Sequence, residues 1–339
     1  MPKKHAALVM GSTENYFFAT GTVVANIRRL CPDLFDDILI FYDTVKTADR
    51  SILEAHYGCT LIPYTPPPAL AEMDDERLRR FTPLSFSIYE IFRLLDAYRN
   101  ILWLDGDVCV QGDIRGIFDY GPAGLRFGGT SFKKALGRTC DPAIDDHPTC
   151  NTGVVYVNDS LPDYLKLYND CYRYTKAFSD TLHSPDQGII NYVLWKNNIT
   201  VTDITKHYNY AAYHDLYGYH NAAIFHMACD YKFWDHWIIE SLFPLWTECY
   251  REWLGLGGSA FTGPKTYPNN GSHFTMLHMA TQLGFALAYW SEKELTKEQE
   301  KTITSLESKV EELLQVIKVM NRGAQKSERP NTGAPEETP

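Results

Sequence analysis

The sequence predicts an α/β fold in which a mixed, mostly parallel sheet is flanked by helices, with a helical extension at the C-terminal end. Short apolar segments alternate with segments of helical periodicity, a pattern that is typical of βαβ units. The chain also has 339 residues, of which 45% are hydrophobic, so it can bury the core of a large α/β domain. We therefore expect a single sheet to organise the chain up to about residue 230.

The individual elements follow from the same alternation. The first predicted strands are His5–Met10, Asp37–Tyr42, Cys59–Tyr64 and Ile101–Leu104. The helices predicted between them are Phe17–Leu30, Ala48–His56 and Leu84–Tyr98. Further strands are predicted at Gly124–Gly129, Asn151–Val157 and Thr200–Asp203. Helices at Pro162–Phe178 and Pro185–Asn197 lie between or beside them.

The composition divides the chain into four parts. Residues 1–245 carry the predicted sheet, and residues 246–290 read as a mainly helical cap. Residues 291–320 form a predicted helix in which apolar residues are spaced alternately by three and four. Its apolar positions are Ile303, Leu306, Val310, Leu313, Ile317 and Met320. This seam is short, so a homo-oligomer formed through 300–320 and packing on the globular core are both open. Residues 321–339 are predicted to be disordered.

Charge and cysteine usage exclude some classes of partner. The 32 basic and 42 acidic residues give a net charge of −10 without a basic stripe, which argues against nucleic acid as a partner. The eight cysteines form no CxxC pair, and the chain starts directly with a strand pattern, so we expect a cytoplasmic protein with free thiols. The longest apolar stretch, Phe274–Trp290, is too short and too polar to span a bilayer, so we expect no transmembrane segment. Any membrane association is expected to be peripheral.

Two carboxylates interrupt the apolar segment Ile101–Val110. Such a run is typical of a strand that is buried on both faces, where two adjacent charged side chains are expected only if they have a function. With Gly106 between them, Asp105 and Asp107 can leave the strand in a tight turn and converge on one hard divalent cation, Mn²⁺ or Mg²⁺. Such an ion keeps open positions for a nucleotide diphosphate. An Asp-x-Asp triplet alone is a weak signal, but this one ends a buried strand.

Other polar motifs flank this one in a fixed order. They are Gly11–Tyr16 (GSTENY), Ser87–Leu95 with its arginine, Asn151–Asn158 (NTGVVYVN), Asp186–Asn191 (DQGIIN) and His226–Trp234 (HMACDYKFW). Together with Leu104–Val108, they resemble glycosyltransferase family 8, the glycogenin and bacterial lipopolysaccharide galactosyltransferase type. The resemblance covers residues 5 to about 237. It implies a GT-A fold, the Rossmann-like fold of nucleotide-diphospho-sugar transferases, with 1–245 as the catalytic domain.

The resemblance also implies site residues. Asp105, Asp107 and His226 would hold the metal, and the imidazole suits Mn²⁺ better than Mg²⁺. Gln187, Asp186 and Lys232 are the implied catalytic residues, with Lys232 adding positive charge at the diphosphate. The implied nucleotide-sugar site consists of Gly11, Thr13, Asn15, Tyr16, Arg93, Asp105, Gly106, Asn151, Asp186, Gln187, Cys229 and Lys232.

Each group has a chemical reason to contact the donor. The Asn15–Tyr16 pair would lie beside the uracil, and the Arg93 guanidinium would bind the donor phosphate or a metal-binding carboxylate. The amides of Asn151 and Gln187 can hydrogen-bond sugar hydroxyls, and a carboxylate such as Asp186 can accept from one.

Structural roles remain open for several of these residues. Arg93 could pair with Glu90 or Asp96 on its own helix, and Asp186 could serve the start of a helix near Pro185. His226 could be a satisfied structural histidine, and Tyr16 could be plain packing.

The chain also departs from the family pattern. Cys229 and Phe233 replace a glycine and a proline of the last motif, Thr13 stands where relatives often carry a carboxylate, and Gly106 replaces a more usual alanine.

The predicted function is metal-dependent transfer of a hexosyl group from a UDP-sugar to a hydroxyl of a glycan, glycolipid or protein. Retention of anomeric configuration comes from the resemblance alone. Retention in the family is thought to use either front-face attack or a transient enzyme nucleophile, for which Gln187 and Asp186 are the candidates. An amide oxygen is a weak nucleophile, so we favour front-face attack in which Gln187 and Asp186 steer the sugar. Two alternatives stay open: a self-glycosylating initiator resembling glycogenin, and a non-catalytic protein that keeps the nucleotide-sugar fold for binding or assembly.

Overall fold

A computed structural model gives the fold. It describes residues 2–67, 70, 82–211, 222–228, 232–234, 243–263 and 308–309. All of these except 308–309 belong to one unit, Met1–Thr266. Most of the predicted cap, nearly all of the heptad-patterned helix and the whole predicted tail lie outside the described residues.

A seven-stranded sheet forms the centre of this unit. Its strands are β1 (Lys4–Ser12), β2 (Asp37–Tyr42), β3 (Thr60–Pro63), β4 (Tyr98–Leu104), β6 (Ala123–Arg126), β7 (Asn151–Asn158) and β8 (Thr202–Asp203), in the order β3-β2-β1-β4-β7-β6-β8. The pairs β1–β2, β2–β3, β1–β4 and β6–β8 are parallel. Strand β7 runs antiparallel to both β4 and β6. The predicted mixed, mostly parallel sheet is confirmed.

Helices cover the sheet and join its strands. They are α1 (Phe17–Leu30), α2 (Thr47–Ser51), α3 (Glu90–Leu94), α4 (Phe132–Leu136), α5 (Tyr164–Phe178), α6 (Pro185–Lys196), α7 (Thr205–Tyr208) and α8 (Pro244–Gly255). Short 3₁₀ turns lie at Glu14–Tyr16, Pro83–Tyr89 and Arg115–Asp119, and a π-helical turn, Ile52–His56, extends α2.

The predicted helix Leu84–Tyr98 is only partly helical. Its first part is a 3₁₀ helix, α3 ends at Leu94, and β4 already begins at Tyr98. Tyr98 pairs with Lys4 of β1, and its hydroxyl donates a hydrogen bond to Asp37 at 2.7 Å. Pairing with the sheet therefore overrides the helical periodicity of this segment.

A second, three-stranded sheet lies at the end of the acidic turn. Strand β5 (Val108–Val110) pairs antiparallel with β10 (Ile224–His226), which pairs parallel with β9 (Tyr210–Ala211). The turn Asp105–Asp107 thus connects β4 of the large sheet to β5 of the small one. Because Val108 is opposite His226, this register brings the acidic turn next to a residue more than a hundred positions away.

Helix α8 packs on α1. Its Trp246, Cys249 and Trp253 are fully buried, and a Cβ on Gly21 of α1 would overlap the Trp253 ring. The predicted division between residues 245 and 246 falls within this helix, and it stays a prediction. Across the described parts of the chain, no helix combines the length and apolar character needed to cross a bilayer.

Candidate active site

The two carboxylates of the acidic turn are oriented by the sheets on either side. The Asp105 N–H donates to the Gly153 carbonyl at 2.8 Å, and the Trp103 indole N–H donates to Asp105 Oδ1 at 2.8 Å. The Met227 N–H donates to the Asp107 carbonyl at 2.9 Å. Gly106 keeps an ordinary φ and has room for a Cβ, so the turn does not require a glycine.

His226 completes a three-residue cluster. Ligand atoms of Asp105, Asp107 and His226 lie within 4.8 Å of one another. His226 Nε2 is 3.2 Å from Asp107 Oδ1, and the histidine is buried, whereas both carboxylates are partly accessible. Two carboxylate oxygens and an imidazole nitrogen suit Mn²⁺, and Mg²⁺ less well, so this donor set fits a divalent cation.

The histidine is fixed from behind by Asn209. Asn209 Nδ2 donates to Asn151 Oδ1 at 3.0 Å, which leaves its Oδ1 facing His226 Nδ1 at 2.9 Å. That oxygen can only accept, so Nδ1 carries the proton and the Nε2 lone pair faces the carboxylates. The ring also packs directly on Gly153, where a Cβ would overlap it. Sequence reasoning missed Asn209, which lies in a tyrosine-rich segment.

Lys232 contributes positive charge to the cluster. Its ammonium donates to Asp107 Oδ2 at 2.6 Å and to the Met227 carbonyl at 2.9 Å. Burial and the charge of Asp107 raise the pKa of Asp105. Burial opposes ionisation of Asp107 as well, but the neighbouring His226 and the hydrogen-bonded Lys232 ammonium outweigh it and lower the pKa of that carboxyl. Perturbed pKa values of neighbouring carboxylates in a cleft are typical of a functional site.

A cavity of about 320 Å³ opens beside this cluster. Six of the predicted site residues line it, namely Gly11, Thr13, Tyr16, Asp105, Gly106 and Asp186. The Tyr16 side chain is 52% exposed, and its ring stacks on Phe18 at 6.2 Å and meets Trp234 edge-on at 6.1 Å. The tyrosine therefore presents an accessible aromatic face rather than filling the core. Asn15 is exposed beside it but is not part of the lining.

The end of β1 is shaped for close approach. A Cβ on Gly11 would lie 2.9 Å from Ser87 Oγ and 3.1 Å from the Trp103 ring. Trp103 also lines the cavity, and sequence reasoning missed it. A signal for it was present, because residues 103 and 105 point to the same face of a strand.

The polar residues of β7 and α6 form one hydrogen-bonded network. Gln187 Oε1 accepts from Asn151 Nδ2 at 3.4 Å, and its Nε2 donates to Thr149 Oγ1 at 3.0 Å. Asn191 donates to the Cys150 carbonyl at 2.8 Å and accepts from the Cys150 N–H at 2.6 Å, which anchors the start of β7. Both amides that were predicted to contact sugar are thus held in place before any ligand binds.

Asp186 has both structural and site features. It lies in the first turn of α6, in agreement with the alternative that it serves the start of a helix near Pro185. It also lines the cavity. Thr152 Oγ1 donates to its Oδ2 at 3.0 Å, and burial raises the pKa of the carboxyl.

Five of the predicted nucleotide-sugar residues are described but do not line the cavity, namely Asn15, Arg93, Asn151, Gln187 and Lys232. Arg93 donates from Nε to Glu90 Oε2 at 2.7 Å, as its structural alternative proposed, and it is not part of the lining. Cys229 lies outside the described residues. A contact between any of these residues and the donor stays a prediction.

Comparisons with known proteins give the family and the fold of this chain. The model of glycosyl transferase family 8 matches residues 7–238. The galactosyltransferase LgtC, solved with donor and acceptor sugar analogues, is 18% identical with a TM-score of 0.54, over 74% of this chain and 99% of LgtC. Apo WbbM, a bifunctional glycosyltransferase, is 15% identical with a TM-score of 0.55, over 76% of this chain and 52% of WbbM. Comparison with curated proteins finds no match. The structural matches confirm the predicted GT-A fold.

Proposed function

Because the chain belongs to glycosyltransferase family 8, we propose that it moves a hexosyl group from a UDP-sugar to a hydroxyl of a glycan, glycolipid or protein, with retention of anomeric configuration. The observation that carries this proposal is the convergence of Asp105, Asp107 and His226 at the edge of the cavity. The chain has a net charge of −10, which repels a nucleotide diphosphate, so a cation at that place would be needed for the diphosphate to bind.

We propose Mn²⁺ as the cation, with Mg²⁺ as the alternative, held by Asp105, Asp107 and His226. Bound there, the ion would supply Lewis acidity to the diphosphate leaving group. The chain adds the Lys232 ammonium, which already lies at Asp107 and would neutralise charge that develops on the departing phosphate. The exposed face of Tyr16 would stack on the uracil.

The sugar would be held by the network on β7 and α6. Gln187 and Asn151 present amide groups whose directions are fixed by their mutual hydrogen bond and by Thr149. The second oxygen of Asp186 would accept a hydrogen bond from a sugar hydroxyl while Thr152 holds the first. Since an amide oxygen is a weak nucleophile, we propose front-face attack by the acceptor, with Gln187 and Asp186 positioning the sugar.

Donor turnover tests the proposal. With Mn²⁺, the wild-type protein should release UDP from one member of a UDP-sugar panel, and EDTA should abolish release. The Asp107→Ala variant should lose release by at least about a hundredfold, because it removes a metal ligand. The matched control is Asp113→Ala, which removes an exposed carboxylate paired with Arg115 at 3.4 Å. A variant at Asp107 that keeps most of the activity would contradict the metal assignment. Silence across the panel without UDP binding would favour the non-catalytic alternative.

We also propose a cytoplasmic location, with peripheral membrane association left open. The support is that the described cysteines, Cys31, Cys59, Cys109, Cys140, Cys150, Cys171 and Cys249, form no disulfide bonds with one another.

A further inference from the structure

A second cavity, of about 780 Å³, lies between α4 and the segment that precedes α6. Four of its lining residues can carry positive charge, and one carries negative charge. The cationic set is Lys133, Lys134, Arg138 and His183, and the acidic residue is Asp146. The whole chain has 42 acidic and 32 basic residues, so the charge of this concave surface is opposite in sign to the net charge of the protein.

The three permanently charged basic residues of this cavity are not paired with described acidic residues. None of the ion pairs of the described residues involves Lys133, Lys134 or Arg138. Arg138 lies over the Phe178 ring at 5.1 Å, which orients the guanidinium without neutralising it. Like charges that border one cavity repel each other, and a bound anion would relieve that repulsion.

The walls of the cavity are rigidly joined. The N–H groups of His183 and Ser184 both donate to the Ala135 carbonyl at 3.0 Å, and Thr181 Oγ1 donates to the Leu136 carbonyl at 2.8 Å. Gly137 ends α4 with a φ of 67°, and a Cβ there would overlap the Thr181 carbonyl oxygen. A preorganised wall lowers the entropic cost of binding a ligand.

The cavity adjoins the proposed sugar site. Ser184 lines it, whereas Asp186, two residues later, lines the nucleotide cavity. Thr130, another lining residue, has a carbonyl that accepts from Thr149 Oγ1 at 2.7 Å. The same Thr149 hydroxyl accepts from Gln187 Nε2 at 3.0 Å. One hydrogen-bonded chain therefore links the basic cavity to the amide that is proposed to hold the sugar.

We propose that this cavity binds an anionic group, a phosphate or a carboxylate, of a saccharide acceptor. The words saccharide and acceptor both rest on the proposed transferase function, whereas the anion site rests on the cavity alone. The diphosphate of the donor has its own cations at Lys232 and the metal cluster, so it does not account for these residues. A neutral acceptor would leave the excess of basic over acidic groups in this cavity without an anionic partner.

Direct binding tests the inference without relying on turnover. Glucose 6-phosphate, glucuronate, glucose and inorganic phosphate are titrated into the full chain in the presence of UDP and Mn²⁺, by calorimetry or ligand-observed NMR. The cavity variant is Lys133→Gln/Lys134→Gln/Arg138→Gln. The control variant is Lys46→Gln/Arg99→Gln/Lys196→Gln. It removes the same number of positive charges from exposed residues that do not line the cavity.

At least one anionic sugar should bind the wild type and the control about tenfold more tightly than glucose does, and the cavity variant should lose that preference. The preference should also weaken between about 50 mM and about 300 mM NaCl. Phosphate and carboxylate recognition are distinguished by which of the two sugars binds. The control is needed because a general change in net charge would weaken both variants equally.

Three results would overturn the inference: no preference for the anionic sugars, an equal loss in the control, or inorganic phosphate binding as tightly as the anionic sugars. UDP release without an anionic preference would refute the cavity assignment alone. The reverse result, a cavity-dependent preference with neither UDP release nor UDP binding, would contradict the proposed transferase and support the anion site.

Discussion

Among single residues, Asn209 has the role that depends most on three-dimensional context. It accepts from His226 Nδ1 and donates to Asn151, so it sets which imidazole nitrogen faces the carboxylates. The Asn209→Ala variant should therefore bind Mn²⁺ about 10- to 100-fold more weakly, because partners behind a metal-binding histidine contribute that much to affinity. Calorimetric titration with Mn²⁺ measures the change.

The control for this substitution is Asn100→Ala. Asn100 also donates and accepts side-chain hydrogen bonds, with His5 and Tyr156, but within the large sheet. Its loss should lower stability and leave Mn²⁺ affinity near the wild-type value. Equal affinity of Asn209→Ala and wild type would show that the histidine needs no support from behind.

Gln187 separates the two mechanisms that the sequence left open. Under front-face attack, Gln187→Ala should lower UDP release by about a hundredfold and leave UDP affinity unchanged, because the amide positions the sugar and not the nucleotide. Thr149→Val, which removes the acceptor of Gln187 Nε2, should cause a smaller loss in the same direction. Complete loss in Gln187→Ala with intact donor binding would instead favour a covalent role. Steady-state UDP release and calorimetry with UDP provide the two readouts.

The sequence predicted the charged residues that follow strands, but it did not reveal the residues that hold the site residues in place. Asp105 and Asp107 stand out because charge interrupts a buried apolar strand, and a motif resemblance located His226. Asn209 carried no such signal, since its role depends on β9 lying beside β10. Likewise, Glu90 and Asp96 both lie three residues from Arg93, so the helical periodicity could not predict that Arg93 pairs with Glu90.

At the scale of elements, the site depends on the close approach of β7 and β10. Gly153 of β7 has no side chain, and the His226 ring occupies that space. Gly153→Ala should displace the ring and weaken Mn²⁺ binding by at least about tenfold, since a buried overlap of this size forces a shift. Gly112→Ala is the matched control, because nothing lies within 4 Å of a Cβ at that position. Calorimetric Mn²⁺ affinity in a folded Gly153→Ala protein equal to that of wild type would contradict the packing argument.

The sequence located most of the elements but not all of their limits. The parallel strands β1 and β2 were predicted because continuous apolar runs mark buried strands. The short strands β9 and β10 have only two or three residues, too few to show any periodicity. The position of β10 is set by pairing with β5 and that of β9 by pairing with β10, so the small sheet that holds His226 follows from tertiary structure.

For the whole molecule, the folded unit extends beyond the segment shared with the family. The family match ends at residue 238, whereas the unit continues to Thr266. Trp253 of α8 lies between Gly21 of α1 and Gly258, and its indole N–H donates to the Ser259 carbonyl at 2.9 Å. This contact joins the C-terminal part of the unit to α1, which begins next to Tyr16 in the cavity beside the acidic turn.

Substitution of Trp253 tests whether this extension belongs to the core of the sheet domain. Trp253→Ala should lower the free energy of unfolding by about 3–5 kcal/mol, the usual cost of removing a fully buried tryptophan. Leu254→Ala, on the same helix but 37% exposed, should cost less than about 1 kcal/mol. Urea unfolding followed by circular dichroism measures both. A single transition that shifts as a whole in Trp253→Ala would show that α8 and the sheet unfold together. An unshifted main transition would instead place α8 in a separate cap, as the predicted boundary between residues 245 and 246 requires.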